Sequence, residues 1–332
     1  MRGRAALLSV LIVVLPACRF VGDSKLPARL SDEAFWNLSS TLSEPPGMFT
    51  HSDNLVSNET HIIHMLRMLR ASGGVYIGVG PEQNYSYIAN AQPRLAFIVD
   101  IRRENLDLHL LYKALFELSA DRGDFLSRLF SRERPAGIGP QTSVQDLFEK
   151  YRTVKASVPL FEANVRLVNE RLLDAHRFPL TAQDLAWIDY ALRAFSADGT
   201  DIHYARSHPN DAPGPSYAAL MTSIDMGGRS RSYLASEEGF LFVKDLHATN
   251  RIVPVVGDFG GADALRRVGD YLRQHDGVVR TFYGSNVEVY LNRQKMAAYC
   301  GNLAQLPHGS RTWYIGSKAM QPFTSKLKSC GN

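Results

Sequence analysis

The stretch "GGVYIGVGPEQN", residues 73–84, decides the fold. Val75 to Val79 reads as a buried strand, and Gly78 and Gly80 leave bare backbone where that strand enters a turn. Upstream, "SDNLVSNETHIIHMLRMLRASGG" predicts a helix over about 57–71 closed by a glycine cap at Gly73 or Gly74. Downstream, a helix starts near Glu82, "RLAFIVDI" (94–101) is a second buried strand, and "RENLDLHLLYKALFELSA" is a strongly periodic helix. Near-continuous apolar strands alternating with helices imply a parallel sheet covered on both faces.

Further out, Ser31 is an N-cap candidate for a helix that "PPG" at 45–47 stops. From about 121 to 240 the strand grammar lapses into loops and helices, including "VQDLFEKY", "LFEANVRLVNERLLDAH" and "TAQDLAWIDYALRAF", which read as a helical insertion. Strands then resume at "GFLFV", "RIVPVVGDF", "VVRTFYGSNVEVYL" and "RTWYIGS", with a helix at "ADALRRVGDYLRQH" between them. The expected architecture is α/β, a doubly wound, mostly parallel sheet over residues 31–332 carrying that insertion. Trp36, Trp187 and Trp313 are expected to anchor the core.

Open α/β sheets bind ligands outside the carboxyl ends of their strands, where strand order reverses. The residues there are the candidates: Gly78, Gly80 and Asn84 after the first strand, and Asp100 after the second. Gly257 and Asp258 follow a later strand, and Tyr283, Ser285, Asn286 and Glu288 the next. Asp100 lies twenty residues beyond Gly80, the spacing at which a carboxylate meets ribose hydroxyls. Blander readings stand beside these: glycines serving turns, Asp100 capping a helix, and the polar run from Ser52 to Glu59 acting as caps. Glu59 and Glu288 are candidate general bases, with Tyr283 and Asn286 orienting a substrate. Gln83 stands where a dinucleotide fingerprint would place a third glycine, which disfavours NAD. His61 and His64, one helical turn apart, and His203 and His208 lack companions with ligand spacing, so no metal site is expected.

Over about 55–118 and 240–291 the chain resembles class I S-adenosylmethionine-dependent methyltransferases. "VYIGVGPEQN" is similar to that family's glycine loop, "FIVDIRR" to its acidic second strand and "VVGDFGG" to its adenine-side loop. It also resembles a group of bacterial proteins carrying "SDNLVSNE", "GVYIGVGPEQN" and "SNVEVYL". The resemblance implies S-adenosylmethionine as cofactor. Gly78 and Gly80 would admit its amino-acid end and ribose, Asp100 would meet the ribose hydroxyls, and Asp258 would face the adenine amino group.

The chain has 332 residues with formal charge +4, and two of its basic residues, Arg2 and Arg4, sit at the very start. So small an excess excludes face-wide attraction to nucleic acid. "MRGRAALLSVLIVVLPAC" reads as a signal peptide over 1–18, and "LPAC" resembles the lipobox of bacterial lipoproteins, with Cys18 the lipidated residue and 19–30 a linker. That implies a cell-envelope protein lipid-anchored on the periplasmic side, or a cytoplasmic one if the leader reading fails. Cys300 and Cys330 then form an even pair, either a disulfide or two unrelated thiols. A cytosolic cofactor and an export signal conflict. The alternative function is therefore an exported, lipid-anchored, non-catalytic protein that binds a small molecule or another protein on a methyltransferase-like scaffold.

Overall fold

The computed structural model describes residues 25–50, 53–70, 72–204, 206, 212 and 214–331. The leader, Cys18, Ser52 and His208 lie outside them. Helix α1 (Asp32–Leu42) begins where Ser31 accepts the Ala34 N–H. Then come α2 (Ile62–Met68), β1 (Val75–Gly78), α3 (Gln83–Ala91), β2 (Leu95–Asp100) and α4 (Arg103–Leu118). Next are α5 (Arg122–Phe130), α6 (Val144–Arg152), α7 (Val158–Asn169), α8 (Ala182–Asp198), α9 (Tyr217–Thr222) and α10 (Glu237–Ala248). The chain returns to β3 (Ile252–Val256), α11 (Ala264–Gln274), β4 (Val279–Ser285) and α12 (Arg293–Gln305). It ends on β5 (His308–Gly316), β6 (Met320–Pro322) and α13 (Phe323–Cys330).

The fold is mixed α/β around one six-stranded sheet of order β3-β2-β1-β4-β5-β6. All neighbours run parallel except β6, which pairs antiparallel with β5. Every residue of β1, β2 and β3 is buried, because helices cover both faces, and that explains their unbroken apolar sequence. Strand order reverses between β1 and β4, so the carboxyl ends of those two strands flank a crevice. At one edge, β3 contains Pro254, which has no N–H to offer a further strand. Helix α1 and the segment after it close that edge. Ser39 Oγ donates to the Pro254 carbonyl at 2.6 Å, Ser43 Oγ accepts the Val256 N–H, and the Glu44 N–H returns to the Val256 carbonyl.

Three expectations need correction. "GFLFV" is not a strand but the start of α10, where Phe240 and Val243 are buried while Leu241 is exposed, a helical spacing. The helix expected over 57–71 is confined to α2, because Ser57 and Glu59 are engaged elsewhere, as described below. Trp313 remains 39% exposed on β5 and anchors no core. Trp36, by contrast, stacks on Phe178, and Trp187 donates its indole N–H to the Glu104 carbonyl at 3.0 Å. Cys300 and Cys330 are joined as a disulfide that ties α12 to α13. No helix among the described residues is long and apolar enough to cross a membrane.

Candidate functional site

The crevice at the reversal point holds a cavity of about 190 Å³. One ordered water needs roughly 10–15 Å³ of such space, so an organic group fits. Gly80, Asp100, Gly257 and Asp258 line one half, at the tips of β1, β2 and β3. Glu59, Ser285 and Asn286 line the other half, at the tip of β4. Phe49, Arg102, Tyr204, Tyr290 and Lys295 line it as well, and none of these five was among the expected site residues. Gly78, Asn84, Tyr283 and Glu288 were expected there and do not line it.

Each of those four has a physical reason. A Cβ on Gly78 would sit 2.0 Å from Asn84 Oδ1 and 2.5 Å from the Tyr76 hydroxyl, so its bareness serves internal packing and not a ligand. Asn84 is buried and accepts the Tyr76 hydroxyl at 2.7 Å. Its amide donates to the carbonyls of Val79, Gly80 and Pro81, which moulds the glycine loop from behind. Tyr283 packs its ring 4.7 Å from that of Tyr87, and its hydroxyl accepts Gln83 Nε2–H at 2.9 Å. Glu288 is held by the Tyr314 hydroxyl and by Lys326, each at 2.6 Å, which fasten it to β5 and α13.

Gly80 is different. It lies at φ +80°, in the left-handed region, and the nearest atom to a Cβ there would be Gln83 Nε2 at 3.4 Å. Its carbonyl is held by His109, whose Nε2–H donates at 3.0 Å while Nδ1 accepts the Tyr85 hydroxyl at 2.6 Å. Burial lowers the His109 pKa to about 4, so the ring stays neutral and keeps that tautomer. Gly257 is bare for packing, since a Cβ would lie 2.2 Å from that of Ala264 on α11.

Asp100 is tied to Arg102. Its Oδ1 accepts the Arg102 N–H at 3.0 Å and Nε–H at 2.9 Å, and its Oδ2 accepts Nη2–H at 3.0 Å. It does not cap α4, whose N-cap position is Arg102 itself. A carboxylate offers about four lone-pair sites, so roughly one acceptor position remains. The Arg102 guanidinium also lies over the Phe49 ring, 5.7 Å from its centroid, and Phe49 meets Tyr290 edge-on at 5.0 Å. Asp258 pairs with Lys295 at 2.7 Å and accepts the Gly260 N–H, while Glu44 takes the Asp258 N–H and so fixes the loop from outside.

Glu59 is 8% exposed and accepts hydroxyl hydrogens from Ser285 and Tyr283. Burial raises its pKa, and those two bonds and the His61 imidazole moderate the rise. Ser285, which serves it, stands at φ +49°, an uncommon conformation for a residue with a Cβ. Behind the loop, Glu82 is fully buried, and burial pushes its pKa up to about 8. Its Oε1 accepts the Ser57 N–H at 3.3 Å and its Oε2 has no partner among the described residues. Of the other polar candidates, Asn54, Ser57 and Asn58 line the cavity, and Asp53 accepts the Tyr190 hydroxyl. His61 and His64 are exposed with ring centroids 6.3 Å apart. Among the described residues no group of three or more His, Cys, Asp or Glu side chains is placed to hold a metal ion.

Residues 54–188 and 215–326 match the model of a domain of unknown function, DUF7790. The matched segments contain every strand-tip residue that lines the cavity. Among curated proteins, none matches the chain.

Proposed function

We propose a reading for a chain that belongs to the DUF7790 family: its crevice takes S-adenosylmethionine, and the protein is a methyltransferase-like enzyme. One observation carries it. Gly80, Asp100 and Asp258, each expected at a strand tip from sequence, line the same cavity at the point where strand order reverses. The residues present fit the group. Gly80 brings bare backbone to the cavity, Asp100 keeps about one acceptor position for a ribose hydroxyl, and Asp258 with Phe259 borders the β3 side. S-adenosylmethionine supplies an already activated methyl group, so what remains for the chain is to position an acceptor and exclude water. Asn286 and Ser285 orient that acceptor, and Glu59 takes its proton.

Calorimetric titration of the purified full-length protein with S-adenosylhomocysteine tests this. Saturable heat at micromolar ligand is expected, weakened by about 1–3 kcal/mol in Asp100→Asn, the cost of one charge-assisted hydrogen bond. No heat at high micromolar ligand removes the reading.

A second reading is favoured by one specific feature, the Cys300–Cys330 disulfide. Disulfides persist in oxidising compartments, where that cofactor is not expected. In this reading the protein is exported, anchored to the membrane through lipid on Cys18, and non-catalytic, with the crevice binding another small molecule or a protein. A globomycin-sensitive precursor, lost on Cys18→Ser, supports the anchor; an unshifted precursor removes it.

A further inference from the structure

We infer that the β4 half of the crevice is a subsite for an organic ammonium, a primary or secondary amine carried on an apolar body about the size of an aromatic ring. The charge balance comes first. Three carboxylates line the cavity, and two of them are matched: Asp100 by Arg102 and Asp258 by Lys295. Glu59 is bonded by two neutral hydroxyls, those of Ser285 and Tyr283, and the exposed His61 imidazole acts on it only at longer range, without a bond. A buried carboxylate without an ion-pair partner in contact is costly, and a cation entering beside it recovers part of that cost. The same balance works against a phosphate or a carboxylate, which would be brought up to an anion.

The other lining groups agree. Ser285 and Asn286 line the same half beside Glu59, and the side chain of each carries an oxygen acceptor. An ammonium brings two or three N–H donors to these oxygens and to the Glu59 carboxylate. Tyr290 is 53% exposed at the rim, against Phe49, with Val287 and Leu291 beside it. These supply an apolar wall, and Tyr290 an aromatic surface for a cation. A bare inorganic cation would leave that wall uncovered.

The inference rests on the proposed reading only in making this amine the methyl acceptor; the binding itself stands apart from it. The test is saturation-transfer NMR titration of the full-length protein with 2-phenylethylamine, 2-phenylethanol and phenyl phosphate. The amine is expected to bind at least tenfold more tightly than the alcohol, with phenyl phosphate weaker still. Glu59→Gln should weaken the amine by about tenfold or more and leave the alcohol nearly unchanged. Tyr290→Ala, at an exposed position where folding is not at stake, should weaken both probes severalfold. Amine and alcohol binding equally, phenyl phosphate binding best, or an amine affinity untouched in Tyr290→Ala would each overturn the subsite. S-adenosylhomocysteine titrated separately keeps the two claims apart. Its failure with amine binding intact sinks the cofactor reading alone, and the converse sinks the subsite alone.

Discussion

Gly78 and Gly80 stand two positions apart in one loop and lack side chains for different reasons. At Gly78 the space of a Cβ is already filled by Asn84 and the Tyr76 hydroxyl, whose mutual hydrogen bond is fully buried. At Gly80 the space is open and the backbone is left-handed. Gly78→Ala must therefore displace a satisfied polar pair, costing about 3 kcal/mol or more. Gly80→Ala costs about 1–2 kcal/mol of backbone strain and places its methyl against Gln83 at the cavity. Urea unfolding should rank Gly78→Ala as the less stable protein, while Gly80→Ala should lose more affinity for any crevice ligand in proportion to its stability. The opposite ranking would mean the loop is not shaped from behind by Asn84. In sequence the two glycines look alike, and nothing in the letters separates them. Asp100 is legible in part: its place at a strand tip follows from spacing and Arg102 stands two residues on, but the letters do not say that this guanidinium turns back onto the carboxylate. His109 and Glu82 carry no local signal at all, since their importance comes from burial against a loop and not from any motif.

Among the elements, strands buried on both faces were the easiest to read, because β1, β2 and β3 need apolar residues at every position. That same rule misled at "GFLFV", a short apolar run that a strand and a buried helix share. The deciding signal lay just before it, in Ser236 as N-cap with Glu237 and Glu238 in the first turn. Helix α12 contributes at a different level, for it carries Lys295 to the cavity wall and is held to α13 by the Cys300–Cys330 bond. The bonded residues are 30 apart in sequence, a loop whose closure is worth about 3–4 kcal/mol. Cys330→Ser should lower unfolding stability by that order, with little change in far-ultraviolet circular dichroism. Dithiothreitol should shift the wild-type protein by the same amount and the variant not at all. A variant still sensitive to reductant would show that the stabilisation comes from somewhere other than this bond.

The molecule as a whole buries ionisable groups on both sides of neutrality, and their signs oppose. Burial holds His109 near pKa 4 and lowers His247 well below its usual value. The unfolded chain binds protons that these folded rings refuse, so stability falls as pH drops below about 6.5. Glu82 and Asp107 behave in reverse, each pushed up to about 8, mainly by burial. Their folded forms keep a proton that the unfolded chain releases above about pH 4.5. Their contribution is therefore complete at lower pH and is lost as pH rises toward 8. Between pH 4.5 and 6.5 the two sets cancel in part, whereas from 6.5 to 8 the histidine contribution fades and the carboxyls outweigh it, and that is the window to measure. Across it, Glu82 by itself should remove about 1–2 kcal/mol of stability. Glu82→Gln keeps the shape and hydrogen-bonding capacity of the protonated acid without its titration. Urea midpoints taken at pH 6.5 and 8.0 should thus fall clearly in the wild-type protein and less in Glu82→Gln, so that the variant gains on the wild type as pH rises. The consequence reaches the crevice, because Glu82 accepts the Ser57 N–H and borders the loop that carries Gly80. If both proteins lose stability equally over that window, Glu82 is ionised in the folded state, and the loop rests on a buried charge instead of a buried proton.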